Sequence, residues 1–187
     1  MSISNIFQRV ALGLIITAAL TISLTACGGG GGGATANPSD ASYAPGGTSG
    51  ANLLSVVLDT SASTQTSLAF ILSLSAVDSG LDLATTVAGV SADLTYDSSW
   101  MTFSSITTSS GYAAAAQDQN NANKLVLGVT DVAAGTVAVL NFDIDTAATH
   151  NATLSMDNLA FLGPSGTIMP KHPMTANAGT VTNTPTM

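Results

Sequence analysis

The chain has 187 residues and a formal net charge of −8 at pH 7, and all eleven acidic residues are aspartates. Its only basic residues are Arg9, Lys124 and Lys171. They are too few to form the Lys and Arg clusters that bind phosphates, so nucleic acid is excluded as a partner. A single cysteine excludes an internal disulfide and a cysteine-based zinc site, so the folded part must be held together by its core.

Residues 1–26 predict a lipoprotein signal peptide. Arg9 precedes the apolar run 10–22, which is too short to cross a bilayer comfortably as a permanent helix, and the sequence LTAC at residues 24–27 follows. The small residues before Cys27 suit a signal peptidase, and the Cys27 thiol is the natural attachment point for a lipid. We expect the chain to be lipid-anchored in the cell envelope through Cys27, at the outer membrane in a Gram-negative host, with its domain outside the cytoplasm. An ordinary signal peptide with an incidental cysteine is the alternative.

Residues 27–51 predict a flexible tether. Six consecutive glycines at 28–33 are followed by a segment rich in Ala, Ser, Pro and Gly that has almost nothing to bury. Ordering a glycine run costs more backbone entropy than ordering any other sequence. We therefore expect it to separate the domain that follows from the membrane.

Short strands follow one another from residue 52 onward. Alternating apolar residues predict strands around 54–58 and 68–76. The stretch 87–103 predicts a strand, a turn and a second strand, because apolar and polar residues alternate with period two up to Asp97. The residues on its predicted buried face are Val90, Ala92, Leu94 and Tyr96. The residues on its predicted wet face are Ser91, Asp93 and Thr95.

The second half of the chain continues the strand pattern. The four alanines 113–116 favour a helix by propensity alone, but no amphipathic period supports one, so we predict a short strand. A further strand is predicted at 135–144. Within 135–144 the apolar phase changes from odd to even positions, which indicates a β-bulge.

About nine strands without a convincing long helix predict an all-β fold for residues 52–182, a two-layer antiparallel β-sandwich of jelly-roll type. Residues 183–187 are expected to be a loose tail. The predicted core residues are Leu72, Leu94, Tyr96, Trp100, Phe103, Leu127, Phe142 and Phe161.

Residues typical of catalysis are nearly absent. His150 and His172 fall in predicted loops, have no glutamate or cysteine partner, and are expected to be solvated. Asp143 and Asp145 lie on one side of a predicted strand, and Asp157 is the candidate for a third carboxylate. A solvated strand face explains them better than a calcium site or a glycosidase pair. We therefore expect no enzyme activity, no cofactor and no metal, with calcium near these aspartates left open.

The pattern GxxxxLxYDxxxMxF from Gly89 to Phe103 resembles the cohesin domain and its relatives among carbohydrate-binding modules. The segments 124–129 and 134–142 are similar to the next strands of that family. The segments 153–161, 166–168 and 179–181 fit its last two strands, so the resemblance extends over roughly residues 52–182. It implies a β-sandwich that binds a partner and catalyses nothing.

The resemblance also implies a binding face. In cohesins the outward positions of the strand that matches 89–96, with the loop end of its sheet neighbour, contact a dockerin module. Gly89 and Ser91 stand where many cohesins have Asn and Asp. Carried over to this chain, the partner-binding residues are Ser91, Asp93, Thr95, Thr130 and Asp131.

Two other functions remain open from the sequence. A carbohydrate-binding module would bind polysaccharide on exposed aromatic rings, but aromatic residues make up only 5% of the chain. Because most of them are needed for the core, Tyr43 and Tyr112 are the candidates for such a platform. A structural surface lipoprotein without a separate ligand is the third possibility. The sequence favours the protein-binding function.

Overall fold

A computed structural model of the chain describes residues 41–145 and 148–184. These residues form twelve strands. The predicted signal peptide, Cys27 and the last residues of the predicted tail lie outside the described ranges. In the described part, no helix has the length and apolarity of a membrane span. The strands are β1 (Ala41–Ala44), β2 (Leu53–Leu58), β3 (Ser67–Ser75), β4 (Gly89–Thr95), β5 (Met101–Thr107), β6 (Ala113–Asp118), β7 (Asn121–Thr130), β8 (Gly135–Ile144), β9 (His150–Thr153), β10 (Ser155–Leu162), β11 (Thr175–Asn177) and β12 (Thr180–Asn183).

Two large sheets form the layers of the sandwich. One has four strands in the order β10-β4-β7-β6 and the other has five in the order β11-β2-β3-β8-β5. Every pairing in them is antiparallel except that of β11 with β2. A third sheet, β1-β12-β9, adds Ala41, Ala152 and Val181 to the same hydrophobic core. The predicted two-layer β-sandwich is therefore confirmed.

The inward residues of both large sheets meet in one core. Phe142 of β8 lies at its centre, with the rings of Phe70, Tyr96 and Phe103 at centroid distances of 5.8, 5.2 and 5.7 Å. Aromatic pairs in tilted and edge-to-face arrangements stabilise the fold beyond what the burial of their apolar area contributes. The predicted core residues are buried, apart from Phe103, which is only partly buried because its strand β5 lies at a sheet edge.

The predicted bulge in β8 is confirmed at Val137. Leu72 pairs with Ala138 while the next residue, Ser73, pairs with Thr136, so Val137 has no partner on β3. Val137 and Ala138 are consequently both buried, although they are neighbours in a strand. One extra residue explains the phase change in the sequence.

The folded part extends beyond the predicted limits of the domain. Residues 41–44 lie within the predicted tether 27–51, yet they form β1 and pair with β12 up to Asn183. The Tyr43 ring packs on Phe70 at 6.4 Å, and its hydroxyl donates a hydrogen bond to the Val56 carbonyl. The sequence ASYA has too short an apolar pattern to predict this strand, because its partner is about 140 residues away.

The segment 166–168, which the resemblance assigns to the last two strands, forms no strand of its own. Ile168 makes an isolated bridge to Leu162, and the residues between them turn tightly. Gly163 donates to the Thr167 carbonyl at 2.8 Å and Gly166 donates to the Gly163 carbonyl at 2.8 Å. Gly166 has a φ of +71°, which glycine adopts without a steric penalty.

The register of β4 can be tested by stability. Leu94 is fully buried, so Leu94→Ala should lower the free energy of unfolding by about 2–5 kcal/mol. Ser91→Ala on the opposite face should change it by less than about 0.5 kcal/mol. Urea unfolding measures both values. Equal losses for the two variants would show that the faces of β4 have been exchanged.

Candidate functional site

The central strand β4 presents its polar residues on the side of the four-stranded sheet that faces away from the core. Val90, Ala92 and Leu94 are buried, whereas Ser91, Asp93 and Thr95 are partly exposed. Directly opposed residues of an antiparallel pair share a face, so the strand register identifies the neighbours of these three residues. We call this surface the outer face, and it comprises Ser91, Asp93, Thr95, Ala114, Ala116, Lys124, Val126, Gly128, Thr130, Ser155 and Asp157.

The middle of the outer face is a shallow shelf of small side chains. Ser91 pairs with Gly128, which in turn pairs with Ala114. In the next row, Val126 of β7 pairs with both Asp93 and Ala116. A partner can therefore approach the backbone of this sheet closely.

Asp93 is the polar centre of the outer face. Its Oδ2 lies 2.7 Å from the Lys124 ammonium and accepts a hydrogen bond of 2.6 Å from the Asn158 amide. Its side chain is 13% exposed. Both contacts are to Oδ2, and no described residue donates to Oδ1. Asp93 is thus fixed in position with one oxygen able to accept a further hydrogen bond.

Lys124 is surrounded by acidic groups. The hydrogen bond to Asp93 raises the pKa of the Lys124 ammonium above its ordinary value, and partial burial opposes this shift. The charges of Asp93, Asp118 and Asp157 also raise this pKa. Lys124 is therefore protonated at neutral pH, and one positive charge stands among three negative ones. This end of the outer face keeps a net negative charge.

Asn158 reaches Asp93 because β10 bulges at this point. Asp157 pairs with Asp93 and Ala160 pairs with Ser91, so β10 has one residue more than β4 between these pairs. Asn158 has a φ of +51°, a conformation that Asn tolerates better than most residues. The Asp-Asn dipeptide at 157–158 is the feature of the sequence that could have indicated this bulge. Nothing in the sequence indicates the contact with Asp93.

Thr130 and Asp131 lie at the other end of the outer face. Thr130 pairs with Gly89, one row beyond Ser91. Its hydroxyl accepts a hydrogen bond of 2.8 Å from the Tyr112 N–H, so it also joins β6 to β7. Asp131 follows in an exposed turn with a φ of +50°. Four of the five residues predicted to bind a partner thus lie on the outer face, and Asp131 lies at its end. Their role in binding stays a prediction.

The two histidines are not free loop residues. His150 begins β9, and its ring stacks on Trp100 at a centroid distance of 5.0 Å and an angle of 3°. This contact is structural and corrects the prediction of a solvated loop. His172 Nδ1 lies 3.3 Å from Asp78 Oδ2, which also accepts a hydrogen bond of 2.8 Å from the Asn52 amide. His172 thus helps to hold a loop in place.

The aspartates that were considered as a calcium site or a glycosidase pair are divided between the two large sheets. Asp143 belongs to β8 and Asp157 belongs to β10. Within the described ranges, no group of three or more His, Cys, Asp or Glu side chains is arranged to hold a metal ion.

No protein-family model and no curated protein sequence matches the chain. Among solved structures, it is similar to a type I cohesin–dockerin complex from Clostridium thermocellum, with 11% identity, 74% of this chain and 98% of that chain covered, and a TM-score of 0.51. The sixth cohesin of scaffoldin B from Acetivibrio cellulolyticus, in complex with a Cel5 dockerin mutant, has 17% identity over 70% of this chain and 97% of that chain, with a TM-score of 0.49. A type II cohesin from the cellulosome of the same organism has 15% identity, coverages of 70% and 95%, and a TM-score of 0.46. The fold is cohesin-like, and at these identities the likeness concerns the fold alone.

Proposed function

We propose that this chain, a cohesin-like β-sandwich, is a non-catalytic binding protein of the cell envelope that docks a dockerin-type protein module on its outer face. The observation that carries the proposal is Asp93, which Lys124 and Asn158 hold in place at the centre of a sheet face that no described part of the chain covers. The structure from Clostridium thermocellum that resembles this chain is itself a cohesin–dockerin complex.

The outer face combines two properties that a protein partner requires. The shelf of Ser91, Gly128 and Ala114 permits close contact with a flat or helical surface. Beside it, Asp93 offers Oδ1 to a donor from the partner. A hydrogen bond to a charged group contributes about 1.5–3 kcal/mol, more than a neutral one. Contacts of this kind at the centre of an interface dominate its affinity.

The dimensions of the outer face indicate that its rim must also take part. Four strands spaced about 4.8 Å apart, and the six steps between the seven residues of β4, cover roughly 14 by 20 Å. That is on the order of 300 Å², well below the roughly 800 Å² that each partner buries in a standard interface. The partner must therefore reach the loops at the ends, where Asp131 and Tyr112 are exposed.

A protein partner fits the exposed residues better than polysaccharide does. Of the two predicted platform residues, Tyr43 packs on Phe70 and bonds to the Val56 carbonyl. Tyr112 is 52% exposed but has no second exposed aromatic residue beside it in the described chain. Stacking on several sugar rings would need a row of such residues.

We further propose that lipid on Cys27 keeps the sandwich close to a membrane. Residues 28–40 separate Cys27 from β1, and an extended chain of that length spans at most about 50 Å. The domain would then meet its partner at the envelope surface.

Lipidation is tested by labelling cells with a fatty-acid analogue. We expect the wild-type chain to take up the label and to partition with membranes, and Cys27→Ala to lose both properties because it lacks the thiol. Labelling that persists in Cys27→Ala would refute the anchor.

The binding face is tested by calorimetric titration of the detergent-solubilised full chain with its partner, first isolated by pull-down with the same chain. Asp93→Ala should weaken binding roughly 10- to 100-fold, because the partner loses a charged acceptor. Asp131→Ala at the rim should have a smaller effect. Asp143→Ala is the matched control, since this exposed aspartate lies on the other sheet.

Each variant must keep the melting temperature of the wild type. If folded Asp93→Ala and Asp131→Ala both bind with unchanged affinity, the outer face is not the site. The loops around Tyr112 and His150 would then be examined next.

A further inference from the structure

The edge strands of the described sheets differ in how well they are protected against pairing with another chain. Strands β1, β9 and β11 have only three or four residues. Strands β5 and β10 are interrupted by bulges near Ser104 and Asn158. Strand β6 pairs with β7 in unbroken register from Ala113 to Gln117. Short or bulged edges resist the addition of a strand, whereas a regular edge accepts one.

The direction of the free backbone groups of β6 follows from its first hydrogen bonds. The Thr130 N–H donates to the Tyr112 carbonyl at 2.9 Å, so Tyr112 directs its backbone toward β7. Because alternate residues of a strand point their N–H and C=O groups to opposite sides, Ala114 also faces β7. The backbone N–H and C=O groups of Ala113 and Ala115 therefore point away from β7, out of the edge of the sheet. No described residue bonds to their backbone on that side.

The side chains of β6 place no obstacle at this edge. Residues 113–116 are all alanine, and none of them is a proline or a charged residue of the kind that protects an edge strand. The exposed Tyr112 ring stands next to the first of them. The apolar ring of a tyrosine at this position can pack on the side chains of an added strand.

Negative charge lies at both ends of the edge and none lies between them. Asp131 is close to Gly111 at one end, since a side chain added at Gly111 would contact the Asp131 carboxylate. Asp118 ends the strand at the other end, near Lys124, where the carboxylates outnumber the one ammonium group. From residue 112 to residue 118 the strand spans about 20 Å. The ends repel a second copy of this acidic chain and attract cations.

We propose that the free edge of β6 binds an extended peptide segment as a fifth strand of the sheet. The segment has small or β-branched residues in its middle and a Lys or Arg at each end, about six positions apart. Backbone groups of Ala113, Ala115 and Gln117 supply the hydrogen bonds, and Asp118 and Asp131 attract the basic ends. This site uses the backbone at the edge of the sheet, and Asp131 is the one residue that it shares with the set predicted to bind a partner at the outer face.

The experiment titrates the synthetic peptide KTVTVTK into the ¹⁵N-labelled full chain in detergent micelles and follows amide chemical shifts. We expect saturable shifts that centre on residues 112–118. The peptide ETVTVTE, which reverses the end charges, should bind at least about 10-fold more weakly. Shifts that are absent, or that centre on another strand, would overturn the proposal.

Ala115→Pro tests the backbone bonds directly. It removes an N–H that points away from β7, so the fold should persist while affinity for the peptide falls at least about 10-fold. Ser104→Pro at the bulge of β5 is the matched control and should bind as the wild type does. If Ala115→Pro does not fold, Asp118→Asn combined with Asp131→Asn should weaken binding at low salt.

Two further outcomes contradict the proposal. Unchanged binding by folded Ala115→Pro would show that the backbone edge is not used. Self-association of the chain without peptide, abolished by Ala115→Pro, would assign the edge to a second copy. Neither result bears on the outer face, whose side chains Ala115→Pro leaves in place.

Discussion

The alternation of side chains along β4 is the constraint on which the rest of the structure depends. This strand is paired on both sides, by β10 and by β7, so its register is fixed by two ladders of hydrogen bonds. Leu94 then fills the core, and Asp93 points to the opposite side. A slip of one residue would bury a carboxylate and expose a leucine at once. The same register therefore determines both the core and the candidate site.

Two neighbouring strands hold the Asp93 side chain of β4, each for a separate reason. Lys124 is brought near by the register of β7, and Asn158 is brought near by the bulge of β10. Both bind the same carboxylate oxygen, so Asp93 is oriented before any partner arrives. A side chain oriented in advance loses less entropy on binding than a mobile one. The proposed peptide site at the edge of β6 differs from this face, because it binds through backbone groups and not through an oriented side chain.

Local patterns predicted the fold, and contacts between distant residues limited what could be predicted of the site. Period-two alternation was enough for β4, and the phase change near Val137 was enough for the bulge of β8. Strand β1 was missed because ASYA carries little apolar signal and is ordered by β12 at the far end of the chain. Asn158 was missed for the same reason, since its partner Asp93 is 65 residues away. His150 was expected in solvent because no sequence pattern indicates its stacking on Trp100.

Amide hydrogen exchange of the free full chain tests the central position of β4 most directly. Amides of β4 are bonded to a strand on either side, so we expect them to exchange only through global unfolding. The amides of Ala113 and Ala115, which point away from the sheet, should exchange orders of magnitude faster. Exchange of the β4 amides as fast as those of Ala113 and Ala115 would contradict the claim that β4 is the rigid centre of both the core and the outer face.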